Sequence, residues 1–362
     1  MLFIPRFDQE SRNETMISQP YEAAPNPPQG KASRILLNRM NSRECPLILA
    51  VLAVLTIVTV PCRAQDVRET EMTESETHSD PPSLTSGEYF VTQTWSQERD
   101  FDRPYYVSVP QGNAGGKLPV FIYLHGNGGN AKRAMQGFAR RSPEIVSRYI
   151  LVFPQGYRES WNIVSERSKA DDRGFIEAII KKLAANESVD RDNVTVMGNS
   201  NGAALVNQLA IECRLPNIRN YISGVSPLNV WQHDGNSFKA KGAQNDYATV
   251  VQPAGGKRLL NISGTDDRLV PYGGGTSRVI PAKGGKLAFV AAERSTFLWA
   301  KQMGYQGKQL NAPTRTSGRL QFFSYLDGDV VHIKVNNEGH GAAQAVTEEV
   351  LLDFLQTQQV EE

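Results

Sequence analysis

Short apolar runs alternate with segments of helical periodicity along most of the chain. The runs predict buried strands at Leu118–Leu124, Tyr149–Phe153, Val194–Met197, Tyr221–Val225, Leu259–Ile262, Leu320–Leu326 and Val330–Val335. Helices are predicted over Ala131–Arg141, after Asp171-Asp172, after Gly202, over Ala291–Met303 and over Val346–Thr357. Tyr89–Trp95 and Arg103–Val109 have the pattern of an edge hairpin. This order predicts an α/β domain, with a mostly parallel central sheet and helices on both faces.

A different apolar run lies near the N-terminus. Leu47–Val60 is too short to cross a bilayer comfortably, follows Arg43, and runs into Pro61-Cys-Arg-Ala64. Basic residue, apolar core and small residues in this order are typical of a secretory signal peptide, beginning near Met40 and cleaved after Ala64. An uncleaved membrane anchor is the alternative. If the signal peptide is cleaved, the mature protein is expected to be secreted or periplasmic and to have no stable membrane span.

Composition divides the chain into three parts. Residues 1–64 hold an N-terminal extension and the signal peptide. Residues 65–87 are acidic and rich in Ser and Thr, which predicts a disordered linker, and residues 88–362 form the folded domain. The cysteines Cys45, Cys62 and Cys213 are too few for a disulfide framework, and only Cys213 remains after cleavage.

The net charge bears on the partners that can be expected. The 362 residues carry a formal net charge of +1. A nearly neutral chain gives no electrostatic reason to expect a nucleic-acid partner or binding to an acidic membrane surface. Oligomeric state is left open by the sequence.

The chemistry centres on Gly198-Asn-Ser200-Asn-Gly202, which follows an apolar strand and precedes a helix. Strand, G-x-S-x-G and helix together predict a nucleophile elbow, with Ser200 on a tight turn that needs a glycine at each flank. The backbone N–H of Asn201, at the start of the helix, is expected to face the oxyanion. A plain glycine-rich turn is the alternative.

A serine nucleophile needs a histidine base and an orienting carboxylate. Among the five histidines, His340 lies in a glycine-flanked loop directly after a late strand, so it is the predicted base; a solvated surface histidine is the alternative. The others lie in the linker, beside a glycine loop, in a polar loop and inside a strand: His78, His125, His233 and His332.

The carboxylate is expected between the serine and the histidine, after the strand Leu259–Ile262. Asp266 and Asp267 are both available, and the spacing to Val270-Pro271 favours Asp267, although either could be a turn residue. The pair Asp171-Asp172 is explained better as a helix N-cap than as an acid pair.

A second oxyanion donor is expected from the glycine-rich loop after Leu124, most simply the amide of Asn127. His125, Trp161 and Trp231 are candidates for substrate contact, with core packing as the alternative for the two tryptophans. No cofactor and no metal ion is implied by this set of residues.

The segment Val189–Gly202 resembles the nucleophile region of secreted polyhydroxybutyrate depolymerase-like and feruloyl esterase-like hydrolases. Further matching segments are Leu124–Gly126, Ser160–Asn162, Asp171–Ile176, Gly264–Tyr272, Trp299-Ala300 and Gly339-His340. The resemblance covers about Arg103 to His340. It implies an α/β-hydrolase fold with Ser200 as nucleophile, Asp267 as acid and His340 as base.

Three departures from that resemblance bear on the substrate. Asn127 stands where related proteins often have Cys, Gly341-Ala342 stands where Thr-Trp-Pro usually follows the histidine, and Ala203 replaces a second glycine after the elbow. They leave the implied chemistry intact.

The predicted function is hydrolysis of carboxylic esters by a secreted serine esterase acting through an acyl-enzyme. The alternatives are a serine peptidase on the same fold and a non-catalytic binding module. The expected substrate is a small or oligomeric ester, including one linked to a polysaccharide. The polar loops Gly235–Gly256 and Tyr272–Gly275, with no adhesion module expected, favour a soluble substrate over a solid polyester.

Overall fold

The computed structural model describes residues 84–111 and 116–356. The predicted signal peptide, its start near Met40 and its cleavage after Ala64 lie outside the described residues. So do His78 and all but the last four residues of the predicted linker, of which Gly87 opens the first strand.

The secondary structure follows the predicted alternation, with additions. The strands are β1 Gly87–Trp95, β2 Glu98–Ser108, β3 Leu118–Leu124, β4 Ile150–Pro154, β5 Val189–Asn199, β6 Ile218–Gly224, β7 Lys239–Ala240, β8 Thr249–Val250, β9 Arg258–Gly264, β10 Gly275–Ala282, β11 Gly285–Phe289, β12 Arg315–Ser317, β13 Leu320–Tyr325 and β14 Val330–Val335. The helices are α1 Ala131–Arg141, α2 Pro143–Arg148, α3 Asp172–Ala184, α4 Asn201–Glu212, α5 Ala292–Gln302, α6 Ala342–Ala345 and α7 Glu348–Gln356.

The main sheet has 10 strands in the order β1-β2-β4-β3-β5-β6-β9-β14-β13-β12. Strands β4, β3, β5, β6, β9 and β14 are mutually parallel, and antiparallel strands flank them on both sides. The first two strands form the predicted edge hairpin. The predicted α/β-hydrolase fold is confirmed, because a mostly parallel sheet carries the strand, turn and helix around Ser200 near its centre.

Alternate residues of the central strands enter two apolar clusters, one on each face of the sheet. On β3, Val120, Ile122 and Leu124 pack with residues of α3, α4 and α5. Phe121 and Tyr123 pack on the opposite face with residues of α1, α2 and α7. Since strand side chains alternate between faces, both sides of β3 are buried, which explains its unbroken apolar run.

The parallel strands end at one edge of the sheet and bring distant loops together there. Leu124 of β3 pairs with Gly198 of β5, and Gly264 of β9 pairs with Val335 of β14. The chain beyond these strand ends carries the glycine loop, Ser200, Asp267 and His340. Ligand sites of open α/β sheets lie at this edge.

Several elements were not predicted, among them α2, α6, β12 and two short pairs of strands. The polar loop Gly235–Gly256 contains the short antiparallel pair β7 and β8. Between Asp267 and α5, the chain forms a separate antiparallel hairpin, β10 and β11.

The interpretation of Asp171-Asp172 as a helix N-cap is correct for the first residue only. The Asp171 carboxylate accepts the N–H of Gly174, whereas Asp172 is fully buried and forms an ion pair with Arg103 at 2.6 Å. The same carboxylate accepts the N–H of Asn162 at 2.5 Å. Asp172 therefore joins the edge hairpin to the segment that follows β4.

Candidate active site

Ser200 occupies a strained position between β5 and α4. Its φ of 54° and ψ of −117° lie where few residues other than glycine are found. A Cβ on Gly198 would meet the carbonyl of Gly202, and a Cβ on Gly202 would meet the carbonyl of Leu124. Both glycines of the motif are therefore required by close backbone approach, and the turn has the geometry of a nucleophile elbow.

Ser200, His340 and Asp267 form one hydrogen-bonded chain. The Ser200 hydroxyl lies 2.8 Å from His340 Nε2, and His340 Nδ1 lies 2.7 Å from Asp267 Oδ2. A carboxylate only accepts hydrogen bonds, so Nδ1 carries the proton of the neutral ring and Nε2 is left to accept from the serine. This is the arrangement a histidine needs to act as a base toward a serine hydroxyl.

The two neighbouring aspartates have different surroundings. Asp267 is buried, and its Oδ1 accepts the N–H groups of Leu269 and Val270 at 2.8 and 3.0 Å. Asp266 is exposed, and its carboxylate meets the hydroxyl of Thr265 at 2.9 Å. The structure therefore places Asp267, and not Asp266, against the histidine.

Backbone amides near Ser200 come from two directions. Asn201 is the first residue of α4, and the N–H of Ala204 donates to the carbonyl of Ser200 at 3.0 Å. The N–H of Asn201 thus belongs to a first turn that offers no intrahelical acceptor. Asn127 lies in the loop His125–Gly129, which we call the oxyanion loop. It lines the cavity beside Ser200.

The cavity beside Ser200 has a volume of about 820 Å³ and two chemically different walls. The apolar wall comes from the chain after Asp267 and from the β10–β11 hairpin. Its main residues are Leu269, Val270, Val279, Ile280, Leu287 and Phe289. The polar wall comes from the segment between β4 and α3, with Arg158, Glu159, Ser160, Glu166 and Arg167.

His125 and Trp161 do not line this cavity, which corrects their assignment as substrate contacts. Burial lowers the pKa of His125, whose Nε2 accepts the N–H of Gly156 at 3.0 Å. Its Nδ1 donates to the carbonyl of Gly126 at 2.7 Å. Trp161 is 0% exposed and its indole donates to the His125 carbonyl at 2.8 Å. Both rings therefore bind backbone carbonyls of the oxyanion loop on the side away from the cavity.

Trp231 and the two polar loops also lie outside the cavity wall. Trp231 packs beside Tyr247, with ring centroids 6.1 Å apart, and contacts the core. The segments Gly235–Gly256 and Tyr272–Gly275, expected to favour a hydroxylated substrate, contribute no lining residue. These loops therefore do not support the choice of substrate, and the β10–β11 hairpin lines the cavity in their place.

Sequence reasoning missed Glu166, whose side chain lines the cavity and contacts Asn201. It lies in an irregular segment without apolar periodicity, so no local pattern distinguishes it from other polar loop residues. Burial raises the pKa of its carboxyl.

The part of the chain that the structure describes contains no group of three or more His, Cys, Asp or Glu side chains that could hold a metal ion. Within residues 84–111 and 116–356, no helix has the length and apolar character required to cross a bilayer.

Comparisons with known proteins identify esterases as relatives. Feruloyl esterase B of Piromyces equi is 26% identical over 213 residues, which are 57% of this chain and 36% of that protein. An acetylxylan esterase of Coprinopsis cinerea is 30% identical over 113 residues, which are 29% of this chain and 30% of that protein. This chain thus spans about a third of the length of each of these two curated relatives. No protein-family model matches the chain.

Solved structures with a similar backbone include the acetyl xylan esterase from Aspergillus awamori. It has a TM-score of 0.48 and 12% sequence identity, with 74% of this chain and 98% of that chain covered. Esterase 2 of Thermogutta terrifontis, phosphorylated by paraoxon, has a TM-score of 0.45 and 16% identity, with 76% and 95% covered.

Proposed function

We propose that this protein is a serine esterase that hydrolyses carboxylic esters through an acyl-enzyme. The observation that carries the proposal is the hydrogen-bonded chain from Ser200 through His340 to Asp267 at the edge of a large cavity. The esterase relatives support the choice of ester over amide substrates.

In the first half of the reaction, Ser200 Oγ attacks the ester carbonyl carbon while His340 Nε2 takes the hydroxyl proton. Asp267 stabilises the imidazolium that forms. The negative charge on the carbonyl oxygen is met by the amides of Asn127 and Asn201. The tetrahedral intermediate then collapses, the alcohol leaves with the proton held by His340, and the acyl group remains on Ser200.

The second half repeats these steps with water as the nucleophile. His340 takes a proton from the water as it attacks the acyl carbon, and a second oxyanion forms at the same two amides. Collapse releases the carboxylic acid and returns the proton to Ser200. The residues need no cofactor for this sequence.

The substrate class we propose is a soluble ester with an apolar part and a polar, hydroxylated part, of the feruloyl or acetyl polysaccharide type. The apolar and polar walls of the cavity support this substrate class. So do two of the relatives, a feruloyl esterase and an acetylxylan esterase. The resemblance to polyhydroxybutyrate depolymerases makes a polyester the competing substrate. Clearing of a polyhydroxybutyrate film as fast as turnover of a soluble ester would refute our preference.

The catalytic assignment is tested with Ser200→Ala. We expect p-nitrophenyl acetate turnover to fall to the residual level of an intact oxyanion hole, a loss of roughly 10⁵ to 10⁶ by comparison with other serine hydrolases. Labelling by a fluorophosphonate probe should disappear, while the melting temperature stays near that of the parent.

Ser147→Ala, at an exposed serine on α2, is the matched control and should retain both turnover and labelling. Retained esterase turnover in Ser200→Ala would show the proposal to be wrong. Faster cleavage of an aminoacyl p-nitroanilide than of the ester by the parent protein would favour the peptidase alternative.

We further propose that the protein is exported after cleavage behind Ala64. The order of Arg43, the apolar run and the small residues supports this. Amino-terminal sequencing of protein recovered outside the cytoplasm should begin at Gln65, and a start upstream of Leu47 would contradict cleavage.

A further inference from the structure

One segment, Gly156–Glu166, contacts both sides of the proposed oxyanion hole. On one side it holds the oxyanion loop. The carbonyl of Glu159 accepts the N–H of Gly128 at 2.8 Å, and the indole of Trp161 donates to the carbonyl of His125 at 2.8 Å. These bonds flank Asn127 on both sides in sequence and fix the backbone that carries its amide.

On the other side the segment holds the start of α4 through the side chain of Asn201. Its Oδ1 accepts the N–H of Trp161 at 2.7 Å, and its Nδ2 donates to the carbonyl of Trp161 at 3.1 Å. The same Nδ2 donates to Glu166 Oε1 at 3.3 Å. Asn201, a proposed oxyanion donor, is therefore held in place by its own side chain.

The Glu166 carboxylate binds both the backbone of its own segment and the side chain of Asn201. Its Oε2 accepts the N–H groups of Ile163 and Val164 at 2.8 and 2.7 Å, while Oε1 accepts from Asn201. All three bonds need an acceptor, and an ionised carboxylate supplies acceptors on both oxygens. A glutamine at this position would present an NH₂ group to at least one donor.

The segment is also strained, which makes such bonds necessary. Arg158 and Glu159 have φ values of 52° and 58°, in the left-handed region that side-chain-bearing residues rarely adopt. Conformations of this kind persist only where the surroundings over-determine them. Tyr247 and Lys241 add support from behind, through hydrogen bonds to the carbonyls of Ile163 and Asn162 at 2.8 and 3.1 Å.

We propose that Glu166 is a positioning residue of the oxyanion hole, acting through Asn201. Its carboxylate ties the Asn201 side chain to the segment that also holds the oxyanion loop, and so sets the separation and direction of the two amides. The inference rests on the proposed function, because it requires an oxyanion at that place. It gives Glu166 a role in the rate of the chemical step that is separate from its place on the polar wall of the cavity.

The test compares Glu166→Gln with the parent on a soluble p-nitrophenyl ester. We expect kcat to fall about tenfold, less than the roughly 10²- to 10³-fold loss that follows removal of a whole donor, with KM changed less than about twofold. The inhibition constant of a trifluoromethyl ketone, whose adduct with serine carries an oxyanion, should rise by the same factor as kcat falls.

A double variant then tests the route through Asn201. In an Asn201→Ala background, which retains the backbone N–H, Glu166→Gln should cause little further loss of kcat. Glu187→Gln removes one carboxylate from an exposed position without a hydrogen bond to the site and should match the parent. Glu166→Asp keeps the charge on a shorter side chain and provides a second readout if the Gln variant does not fold.

Three outcomes would overturn the inference. They are an unchanged kcat in both Glu166 variants, a rise in KM alone, which would make Glu166 a substrate contact, and a full tenfold loss in the Asn201→Ala background. A failure of the proposed function would look different, because Ser200→Ala would then retain turnover whatever residue occupies position 166.

Discussion

Asp266 and Asp267 are adjacent and chemically identical, yet their carboxylates have different hydrogen-bond partners and different roles. Asp267 is fixed by the amides of Leu269 and Val270 so that its second oxygen meets His340. Asp266 points to solvent beside Thr265. The spacing to Val270-Pro271 favoured Asp267 in the sequence, and the structure explains it, because the two amides that orient the carboxylate lie two and three residues further on.

We predict that Asp267→Asn lowers kcat by roughly 10³- to 10⁴-fold, as orienting aspartates of other serine hydrolases do, because an amide no longer fixes the histidine tautomer. Asp266→Asn is the matched control and should stay within about twofold of the parent, since its side chain does not reach His340. Steady-state kinetics on a soluble ester distinguishes the two. Equal losses in the two variants, or a larger loss in Asp266→Asn, would contradict the assignment of Asp267 as the orienting acid.

Residues with a strong local pattern were predictable, and residues that depend on distant contacts were not. Ser200 and His340 were predictable because glycines and a preceding strand mark them in sequence. The buried pair of Arg103 and Asp172 joins residues far apart in the chain. Glu166 likewise depends on a tertiary contact, its hydrogen bond with Asn201 of α4. A single sequence holds no record of such pairings.

At the scale of elements, the parallel strands were predictable because each is buried on both faces and reads as an apolar run. The β10–β11 hairpin was not. Its sequence, Gly275–Phe289, contains Pro281, adjacent glycines and two lysines, and its register is irregular between Thr276 and Pro281. Neither alternation nor a continuous apolar run marks it, because only part of its surface faces the cavity.

His332 of β14 connects β9 to the chain that follows Asp267. Its Nδ1 lies 3.0 Å from Asn261 Oδ1 of β9, and its Nε2 lies 2.9 Å from the hydroxyl of Tyr272, which is 2.8 Å from Glu293 of α5. Burial lowers the pKa of His332 to about 3, so the ring is neutral in the folded protein. The unfolded chain protonates this histidine near pH 6.5, as an ordinary exposed one.

The sign of the pH effect follows from this difference. Between pH 6.5 and 3 the unfolded chain binds a proton that the folded one does not, so the contribution of His332 to stability is lost as pH falls. We predict that the unfolding free energy of the parent, minus that of His332→Gln, decreases by roughly 1.4 kcal/mol per pH unit in this window. Denaturant unfolding at several pH values measures it. A difference that does not vary with pH would contradict the buried neutral ring.

At the scale of the whole molecule, the cavity is assembled from segments that are far apart in the chain. Ser165 donates to the carbonyl of Pro281 at 2.9 Å, which joins the polar wall to the hairpin. Lys283 at the hairpin turn donates to the carbonyl of Gln244 at 3.1 Å. The position of the apolar wall over Ser200 therefore depends on tertiary contacts, which is why the loops expected to face the substrate were the wrong ones.

The apolar wall leads to a prediction about specificity. Val279 is 53% exposed and lines the cavity, so a charge there should disturb substrate binding with little loss of stability. We predict that Val279→Asp lowers kcat/KM for p-nitrophenyl hexanoate about tenfold relative to p-nitrophenyl acetate, because only the longer acyl chain reaches this wall and each lost apolar contact weakens binding. The adjacent Arg278 is exposed and does not line the cavity, so Arg278→Asp should leave the ratio of the two substrates unchanged. Equal losses on acetate and hexanoate, or the same shift in Arg278→Asp, would mean that the hairpin does not contact the acyl chain.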